Sequence, residues 1–359
     1  MIESFNDKVL QEDLEIIAKE ELPFRKFRNS TVFITGVTGL VGLQLFKALA
    51  CINRVHQLNM KIIGLVRNLD KAEKIFGDLL KRKDIQIVLG DVSEDFHSYI
   101  PDDLVIDYII HGASVTTSKL MIEFPVDTIR VAFNGTYQML ELAKEKKVKS
   151  FVYLSSMEIY GSFQSDRTTV VNEDMLGYLD LTSVRTNYPE CKRICENMCI
   201  AFLSQYQVPA KIARLSQTFG AGILPGENRV FAQFARSVMQ GKDIVLHTLG
   251  QSEGNYCYTA DTVVALLTIL LRGENGEAYN VANEESHTTI ADMAKMVTSQ
   301  FSQTSQVVFD IPEKNIFGYA VDTKMKLSTH KIQQLGWKPR VSLVDAYDRM
   351  MRSMNETGV

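Results

Sequence analysis

Short apolar runs alternate with longer amphipathic stretches from residue 31 to residue 214. The runs predict strands near Thr31–Thr35, Lys61–Val66, Gln86–Leu89, Val105–Ile110, Ser150–Leu154 and Ala210–Arg214. The stretches between them predict helices near Leu40–Ala50, Leu69–Lys81, Ile129–Lys146 and Tyr188–Gln205. Such alternation implies right-handed crossovers, which put the strands in one parallel sheet with helices on both faces. The predicted fold class is therefore α/β, with a doubly wound parallel sheet.

The pattern differs at both ends of the chain. Asn6 to Glu21 is predicted to form an amphipathic helix that Pro23 ends, so residues 1–28 are interpreted as an N-terminal helical extension. Residues 29–215 are the predicted sheet domain. Beyond residue 216 the regular alternation stops. The helices predicted there lie near Val230–Met239, Asp261–Leu271, Thr289–Phe301 and Val341–Met354, and the strands near Ile244–His247, Ala278–Val281 and Val307–Phe309.

Composition narrows the classes of partner. The chain has 359 residues, with 39 basic and 43 acidic side chains and a net charge of −4, so neither nucleic acid nor an anionic membrane is expected as a partner. No apolar run reaches the roughly 18 residues that a spanning helix needs. The acidic N-terminus lacks a signal-peptide core, and five cysteines without a secreted pattern suit a reducing compartment, so a cytoplasmic location is expected.

Three of the cysteines, Cys191, Cys195 and Cys199, are spaced to share one helical face. Metal binding is one interpretation of this spacing. Because no histidine joins them, buried thiols are favoured and no metal is expected.

The segment TVFITGVTGLVG carries the strongest signal for a ligand. A β-branched strand is followed by Gly36, Gly39 and Gly42 and then by an apolar helix. A strand, a glycine turn and a helix N-terminus together suit a dinucleotide pyrophosphate, which here would contact Gly36, Gly39 and Gly42 together with Thr38, Leu40 and Val41. The alternative is an ordinary turn that happens to contain glycines.

Later strand ends add detail to the predicted cofactor site. Arg67 stands where an acidic residue would bind an NAD ribose, which favours NADP over NAD; a solvated arginine is the alternative. Asp91, beside Val92, is a candidate for hydrogen bonding to adenine. Small residues after the fourth strand would let the backbone approach the cofactor; they are Gly112, Ala113 and Ser114.

The predicted chemistry comes from two further segments. Tyr188 and Lys192 lie at i and i+4 on a helix and therefore share a face. A neighbouring ammonium favours tyrosinate, so Lys192 is expected to lower the pKa of Tyr188 and make it an acid/base. A serine from LSSMEIYG, at the end of the fifth strand, would complete a site for moving a proton on and off an alcohol. The Tyr-x-x-x-Lys pair alone is common by chance.

Six segments resemble, in the same order along the chain, motifs of the extended short-chain dehydrogenase/reductases of the nucleotide-sugar epimerase/dehydratase family. They are GVTGLVG, LGDV, HGAS, LSSMEIYG, YPECK and ARLSQTFG. The motifs are most similar to those of UDP-glucuronate decarboxylases and dTDP-glucose 4,6-dehydratases. The resemblance implies a Rossmann-type sheet, a smaller C-terminal substrate-binding part with some segments returning to the sheet, and a nucleotide-diphosphate sugar as substrate. It implies catalytic roles for Ser156, Tyr188, Lys192 and Glu158, and a homodimer joined through the helices Ile129–Lys146 and Tyr188–Gln205.

The substrate would contact Thr116, Ser156, Met157, Glu158 and Arg229. Departures from the family pattern concern this part of the site. Met157 stands where the dehydratases have an aspartate. The segments Gly250–Tyr258 and Gly318–Asp322 lack the arginines that usually bind the diphosphate, and Arg229 or Lys324 are candidate replacements.

Three functions are therefore compatible with the sequence. The first is an epimerase, decarboxylase or dehydratase that acts through a transient ketone with bound NAD(P). The second is an NADPH-dependent reductase of a nucleotide-linked keto sugar, which Arg67 and the missing aspartate favour. The third is a non-enzymatic NAD(P)-sensing protein, against which the complete Ser156, Tyr188 and Lys192 set argues. We rank the first narrowly above the second.

Overall fold

A computed structural model describes residues 2–96, 100–163, 165, 167–312 and 322–359. The strands in these ranges are β1 (Thr31–Thr35), β2 (Lys61–Val66), β3 (Ile85–Leu89), β4 (Tyr108–His111), β5 (Ser150–Ser156), β6 (Thr169–Val171), β7 (Ala210–Leu215), β8 (Gln217–Phe219), β9 (Ile244–Leu246), β10 (Glu253–Gly254), β11 (Tyr256–Tyr258), β12 (Ala278–Val281), β13 (Thr288–Thr289), β14 (Val307–Phe309) and β15 (Met325–Leu327). The helices are α1 (Lys8–Ala18), α2 (Leu40–His56), α3 (Leu69–Phe76), α4 (Ser118–Glu123), α5 (Pro125–Glu145), α6 (Asn187–Tyr206), α7 (Val230–Met239), α8 (Thr259–Arg272), α9 (Ile290–Phe301), α10 (His330–Gln333) and α11 (Leu343–Thr357).

The centre of the fold is a seven-stranded parallel sheet with the order β12-β7-β5-β4-β1-β2-β3. From β1 the chain first builds β2 and β3 on one side and then β4, β5 and β7 on the other. The strand order therefore reverses between β1 and β4, which is where ligands bind in sheets of this kind. The predicted α/β class and doubly wound sheet are confirmed. The seventh strand, β12, comes from the C-terminal part of the chain, so that part interleaves with the sheet.

Two apolar cores cover the faces of the sheet. On one face, α5 and α6 pack on inward side chains that include Phe33, Ile109 and Phe151. On the other face, α2 and α8 pack against each other and extend the core toward the C-terminal part. The sheet is thus covered on both faces, as parallel sheets require.

The N-terminal helix α1 packs against α2, α8 and α11. Its Asp13 accepts a 2.6 Å hydrogen bond from the hydroxyl of Tyr258 and pairs with Arg349 at 2.8 Å. Burial raises the pKa of Asp13 to about 6, against the opposing hydrogen bond from Tyr258 and the charge of Arg349. The extension is therefore fixed to the main body through a buried polar contact as well as through apolar packing.

Several predicted elements have different bounds in the structure: α2 continues past Ala50 to His56, α3 ends at Phe76 and α5 begins at Pro125. Two of the differences have a clear local cause. The first helix is shorter than Asn6–Glu21, because Asp7 caps it through the backbone N–H of Leu10 at 2.9 Å and Lys19 closes it. The fourth strand begins at Tyr108 and not at Val105, which is exposed. The turn from Pro101 to Leu104 precedes it, and pairing to β1 starts with the N–H of Asp107.

All five cysteines are buried and free of disulfide bonds. One cluster in the described residues, Glu3, Glu15 and Cys51, has metal-ligand spacing, but both of its carboxylates pair with Arg54. Among the described helices, none combines the length and apolar character needed to cross a bilayer.

Candidate active site

The glycine turn lies at the carboxyl end of β1 and leads into α2. Gly36 has a φ of 77°, and a Cβ there would lie 2.7 Å from the backbone carbon of Gly112. A Cβ on Gly42 would overlap the carbonyl oxygen of Gly36. Gly39 is exposed and caps the 17-residue α2 without any side-chain hydrogen bond. The first-turn amides, which include those of Leu40 and Val41, therefore remain available to an anion at the positive end of the helix dipole, so these residues fit a dinucleotide pyrophosphate.

His111 fixes the neighbouring strand end. Its Nδ1 lies 2.7 Å from the hydroxyl of Thr35, and that hydroxyl also accepts the N–H groups of Gly112 and Ala113 at 3.2 and 3.1 Å. Burial lowers the pKa of His111 to about 3, with a further contribution from the charge of Lys192, so the imidazole is neutral. The backbone at Gly112 and Ala113 is thereby held beside the glycine turn.

The residues that follow Ala113 lead away from the sheet. Ser114 is half-buried and Thr116 is exposed in the loop before α4. Both lie at the carboxyl edge of β4, the edge at which a ligand is expected.

Arg67 and Asp91 lie together at the ends of β2 and β3. Arg67 Nη1 is 3.6 Å from Asp91 Oδ2, and the arginine side chain is 68% exposed. Although burial acts to raise the pKa of Asp91, the N–H and hydroxyl of Ser93 and the charge of Arg67 hold it below its ordinary value. Val92 turns into the core, against Gly135 of α5. An accessible guanidinium therefore marks the place where an adenosine ribose is expected in this fold.

Helix α6 brings Tyr188 and Lys192 to the end of β5. Both side chains are buried. Ser156 ends β5, and its hydroxyl accepts a 3.2 Å hydrogen bond from the backbone N–H of Glu158. Lys192 Nζ donates to the carbonyl oxygen of Leu154 at 2.7 Å and lies 5.6 Å from the centre of the Tyr188 ring. The structure thus brings together the serine, the tyrosine and the lysine that the sequence predicts.

The pKa of Tyr188 is shifted upward, not downward as expected from its neighbour Lys192. Burial raises the pKa of Tyr188 above its ordinary value and the charge of Glu158 adds to this, while a hydrogen bond from Ser156 and the charges of Arg185 and Arg229 oppose it. Burial is the largest of these influences on the pKa of Tyr188, and the Lys192 ammonium itself binds the carbonyl oxygen of Leu154. Burial also lowers the pKa of Lys192 itself, to about 8. In this state Tyr188 carries its proton.

Glu158 is paired with an arginine that the sequence analysis did not identify. Arg185 Nη2 lies 2.9 and 3.2 Å from the two carboxylate oxygens of Glu158, and its guanidinium carbon is 5.9 Å from the centre of the Tyr188 ring. Arg185 lies in the turn Val184–Thr186 immediately before α6.

A second unpredicted arginine, Arg193, donates to the carbonyl oxygens of Ile159 at 2.8 Å and Gly177 at 2.9 Å. Both arginines flank the tyrosine–lysine motif in RTNYPECKR, which is the signal that the sequence offered.

Two further residues predicted to contact the substrate, Met157 and Arg229, have other partners in the structure. Met157 is buried in an apolar cluster with Tyr160, Val171 and Met325. Arg229 precedes α7 and forms a two-point ion pair with Glu227, at 3.0 and 2.6 Å, while its charge still acts on Tyr188.

The segments that lack the expected arginines are described only in part. Gly250–Tyr258 contains β10 and β11. Residues 318–321 of Gly318–Asp322 lie outside the described ranges, while Lys324 directly precedes β15.

A model of the NAD dependent epimerase/dehydratase family matches residues 32–282. The chain belongs to this family. The match begins at the glycine-turn strand β1 and ends directly after β12, so this epimerase/dehydratase family member is matched across the whole central sheet.

Individual relatives agree with the assignment. UDP-glucuronic acid decarboxylase 1 of Danio rerio is 26% identical over 348 residues, covering 95% of this chain and 77% of that protein. The dTDP-D-glucose 4,6-dehydratase of Mus musculus is 25% identical over 295 residues, covering 77% of each. The resemblance predicted from the motifs, and with it the prediction of an NAD(P)-dependent enzyme, is confirmed.

Solved structures of similar fold include two epimerases. One, from Methanothermobacter thermautotrophicus, has a TM-score of 0.76 and 22% identity, covering 93% of this chain and 95% of the other. The UDP-glucuronic acid 4-epimerase of Bacillus cereus, solved with UDP-glucuronic acid and NAD, has a TM-score of 0.72 and 19% identity, covering 91% of this chain and 99% of the other. At this identity the likeness establishes the fold of the family member.

Proposed function

We propose that this family member modifies a nucleotide-diphosphate sugar through a keto intermediate, in the manner of an epimerase, decarboxylase or dehydratase. The observation that carries the proposal is the convergence of Ser156, Glu158 and Tyr188 at the carboxyl edge of the sheet, beside the uncapped N-terminus of α2. The relatives reported above are named for UDP-glucuronic acid and dTDP-D-glucose, which supports a nucleotide-diphosphate sugar as the substrate.

NAD or NADP would be held by the glycine turn, by the backbone at Gly112 and Ala113, and by Lys192. When bound, the nicotinamide supplies hydride transfer to and from a carbon of the substrate. The exposed guanidinium of Arg67 supports NADP over NAD, because a 2′-phosphate at the end of β2 would replace its long, 3.6 Å contact with Asp91.

Tyr188 exchanges a proton with the substrate hydroxyl whose carbon gains or loses the hydride. Ser156 hydrogen-bonds the same oxygen and the phenol, which orients both groups. Because burial keeps Tyr188 protonated, the site as described is set to donate a proton. The guanidinium groups of Arg185 and Arg229 lower the cost of forming the tyrosinate that the reverse step requires.

Glu158 supplies a second acid/base for a reaction in which the ketone is then deprotonated at a neighbouring carbon, as in a dehydratase type of reaction. It lies two residues after Ser156, and its carboxylate is one-third exposed toward solvent. Under this proposal Glu158→Gln lowers turnover nearly as much as loss of the Tyr188 hydroxyl does.

The second candidate is an NADPH-dependent reductase that converts a nucleotide-linked keto sugar to an alcohol. Two observations favour it: the exposed Arg67, and the apolar Met157 where the dehydratases have an aspartate. A reductase needs no second carboxylate, so Glu158→Gln would then have a mild effect.

We also propose that the protein is a homodimer. Helices α5 and α6 pack side by side on one face of the sheet, and both still expose large apolar side chains. These residues are Ile129, Phe133, Tyr137, Ile194, Ile200 and Tyr206. A two-fold contact between such helix pairs would bury them as a four-helix bundle.

The proposal is tested by incubating the protein with NAD⁺ or NADPH and UDP- or dTDP-linked hexoses and hexuronic acids, followed by mass spectrometry of the products. A sugar altered in the wild type and unaltered with Tyr188→Phe is the expected result. Failure of every nucleotide sugar both to bind and to react would overturn the proposed function.

A further inference from the structure

Three arginines surround the loop that carries Glu158, and they differ in how much of each guanidinium the protein uses. Arg193 donates from Nε to Ile159, from Nη1 to Glu190 and from Nη2 to Gly177. Arg214 likewise uses Nε, Nη1 and Nη2, on Glu196, Tyr160 and the carbonyl of Glu173. Within the part of the chain that is described, Arg185 donates from Nη2 alone, and only to Glu158.

The contact between Arg185 and Glu158 is also open to a ligand. The side chains are 30% and 34% exposed, whereas those of Arg214 and Glu196 are 10% exposed each. A carboxylate matches an arginine best when two nitrogens meet two oxygens. The contact between Arg185 and Glu158 uses one nitrogen only, so a substrate carboxylate that met two nitrogens of Arg185 would bind better and displace Glu158.

The position of this pair decides which anion would fit. The guanidinium carbon lies 5.9 Å from the centre of the Tyr188 ring, so a group bound there sits within a few bonds of the carbon that reacts at Tyr188. The residue before Glu158 is the apolar Met157, so position 157 carries no second carboxylate that would repel an acidic sugar. The nearby charge of Arg229 also favours an anion.

We infer that Arg185 is the specificity-determining residue of the site, and that its guanidinium exchanges Glu158 for a carboxylate on the reacting sugar. The inference rests on the proposed function and narrows its substrate class to nucleotide-linked uronic acids. In the exchange, the carboxylate of the substrate forms the ion pair with Arg185 in place of Glu158, and Glu158 becomes a free carboxylate next to the sugar. A neutral hexose leaves the ion pair closed and Glu158 engaged.

The exchange is tested by calorimetric titration of the NAD-loaded protein with UDP-glucuronic acid and UDP-glucose, and with the dTDP-linked pair. We expect the acid of one pair to bind more tightly than its neutral partner by about ten- to hundredfold, the worth of one charge-assisted contact. Arg185→Gln should abolish this preference, and Arg185→Lys should retain part of it. Arg352→Gln, which removes an exposed arginine paired with Asp348 within α11, is the matched control and should leave it unchanged.

Glu158→Gln gives a readout that a merely structural arginine would not produce. Because it removes the anion that competes for Arg185, it should tighten binding of the acid while turnover falls. Weaker binding of the acid to Glu158→Gln, or an equal loss for acid and neutral sugar with Arg185→Gln, would overturn the inference. Equal turnover of both sugars by the wild type would also overturn it and leave the proposed function standing, whereas failure to bind or convert any nucleotide sugar would defeat the proposed function itself.

Discussion

Lys192 donates a 2.7 Å hydrogen bond to the carbonyl oxygen of Leu154, two residues before Ser156. The next residue of the same helix, Arg193, donates to the carbonyl oxygen of Ile159, directly after Glu158. Adjacent residues of the helix that carries Tyr188 therefore hold the segment from Leu154 to Ile159 at both ends. This arrangement fixes the distance between Tyr188 and its two partners in the proposed chemistry.

Tyr188→Phe removes only the oxygen that carries the proton. We expect turnover to fall by about 10²–10⁴-fold, the usual contribution of a positioned acid/base. Binding of NAD(P) should persist, because the glycine turn is unchanged. Steady-state rates and cofactor titration measure the two quantities separately, and a variant that retains its turnover would remove Tyr188 from the chemistry.

Arg67→Asp addresses the choice of cofactor. If the guanidinium pairs with a 2′-phosphate, the change should weaken NADP binding by about ten- to hundredfold while NAD binding is retained. Fluorescence titration with each cofactor measures the difference. Equal affinities before and after the change would show that Arg67 only faces water.

Phe133→Glu addresses the assembly. Phe133 lies on α5 and is 42% exposed, among the apolar side chains that a helix-pair interface would bury. Light scattering at micromolar concentration should give the mass of a dimer for the wild type and of a monomer for the variant. Phe309→Glu, at a similarly exposed phenylalanine on β14, should remain a dimer. A monomeric wild type would contradict the proposal.

The buried imidazole of His111 should make the stability of the protein depend on pH. Its folded pKa of about 3 lies below its ordinary value, because burial penalises the charged imidazole and Lys192 adds to the penalty. The unfolded chain therefore binds the proton first, and stability falls as pH drops from about 6.5 toward 3. Between pH 6.5 and 5 this loss is about 1.5 kcal/mol.

His111→Asn keeps a hydrogen-bonding group beside Thr35 and removes the titration. Urea unfolding at several pH values should show a smaller decline in stability for the variant than for the wild type over this range. Parallel curves for the two proteins would contradict a buried neutral histidine.

Much of the fold follows from local patterns in the sequence. Thr31–Thr35 and Lys61–Val66 are rich in apolar and β-branched side chains, which suits strands buried on both faces, and both form with the predicted bounds. The glycine turn and the tyrosine–lysine pair were equally predictable, because each depends on residues a few positions apart. The late start of β4 was not, because Val105 is apolar and yet lies exposed before the strand, whose start is set by long-range pairing with β1.

The electrostatics of the site depend on such long-range contacts. Spacing predicts that Lys192 and Tyr188 share a helical face. Only the fold shows that the Lys192 ammonium donates to the carbonyl oxygen of Leu154. The Arg185–Glu158 pair joins residues 27 positions apart, so no local pattern announces it. Sequence reasoning therefore predicted that Ser156, Tyr188 and Lys192 lie together and mistook the direction in which the pKa of Tyr188 is shifted.

The most direct test of the central claim is the stoichiometry of the cofactor during turnover of a nucleotide sugar. The protein is mixed with a large excess of the substrate and a small amount of NAD(P)⁺ or, in a parallel assay, of NADPH, and the absorbance of the reduced nicotinamide is followed together with product formation. Our account predicts many product molecules per cofactor and no lasting change in absorbance, because the hydride taken from the sugar returns to it. Consumption of one NADPH for each product would contradict it and establish the reductase instead.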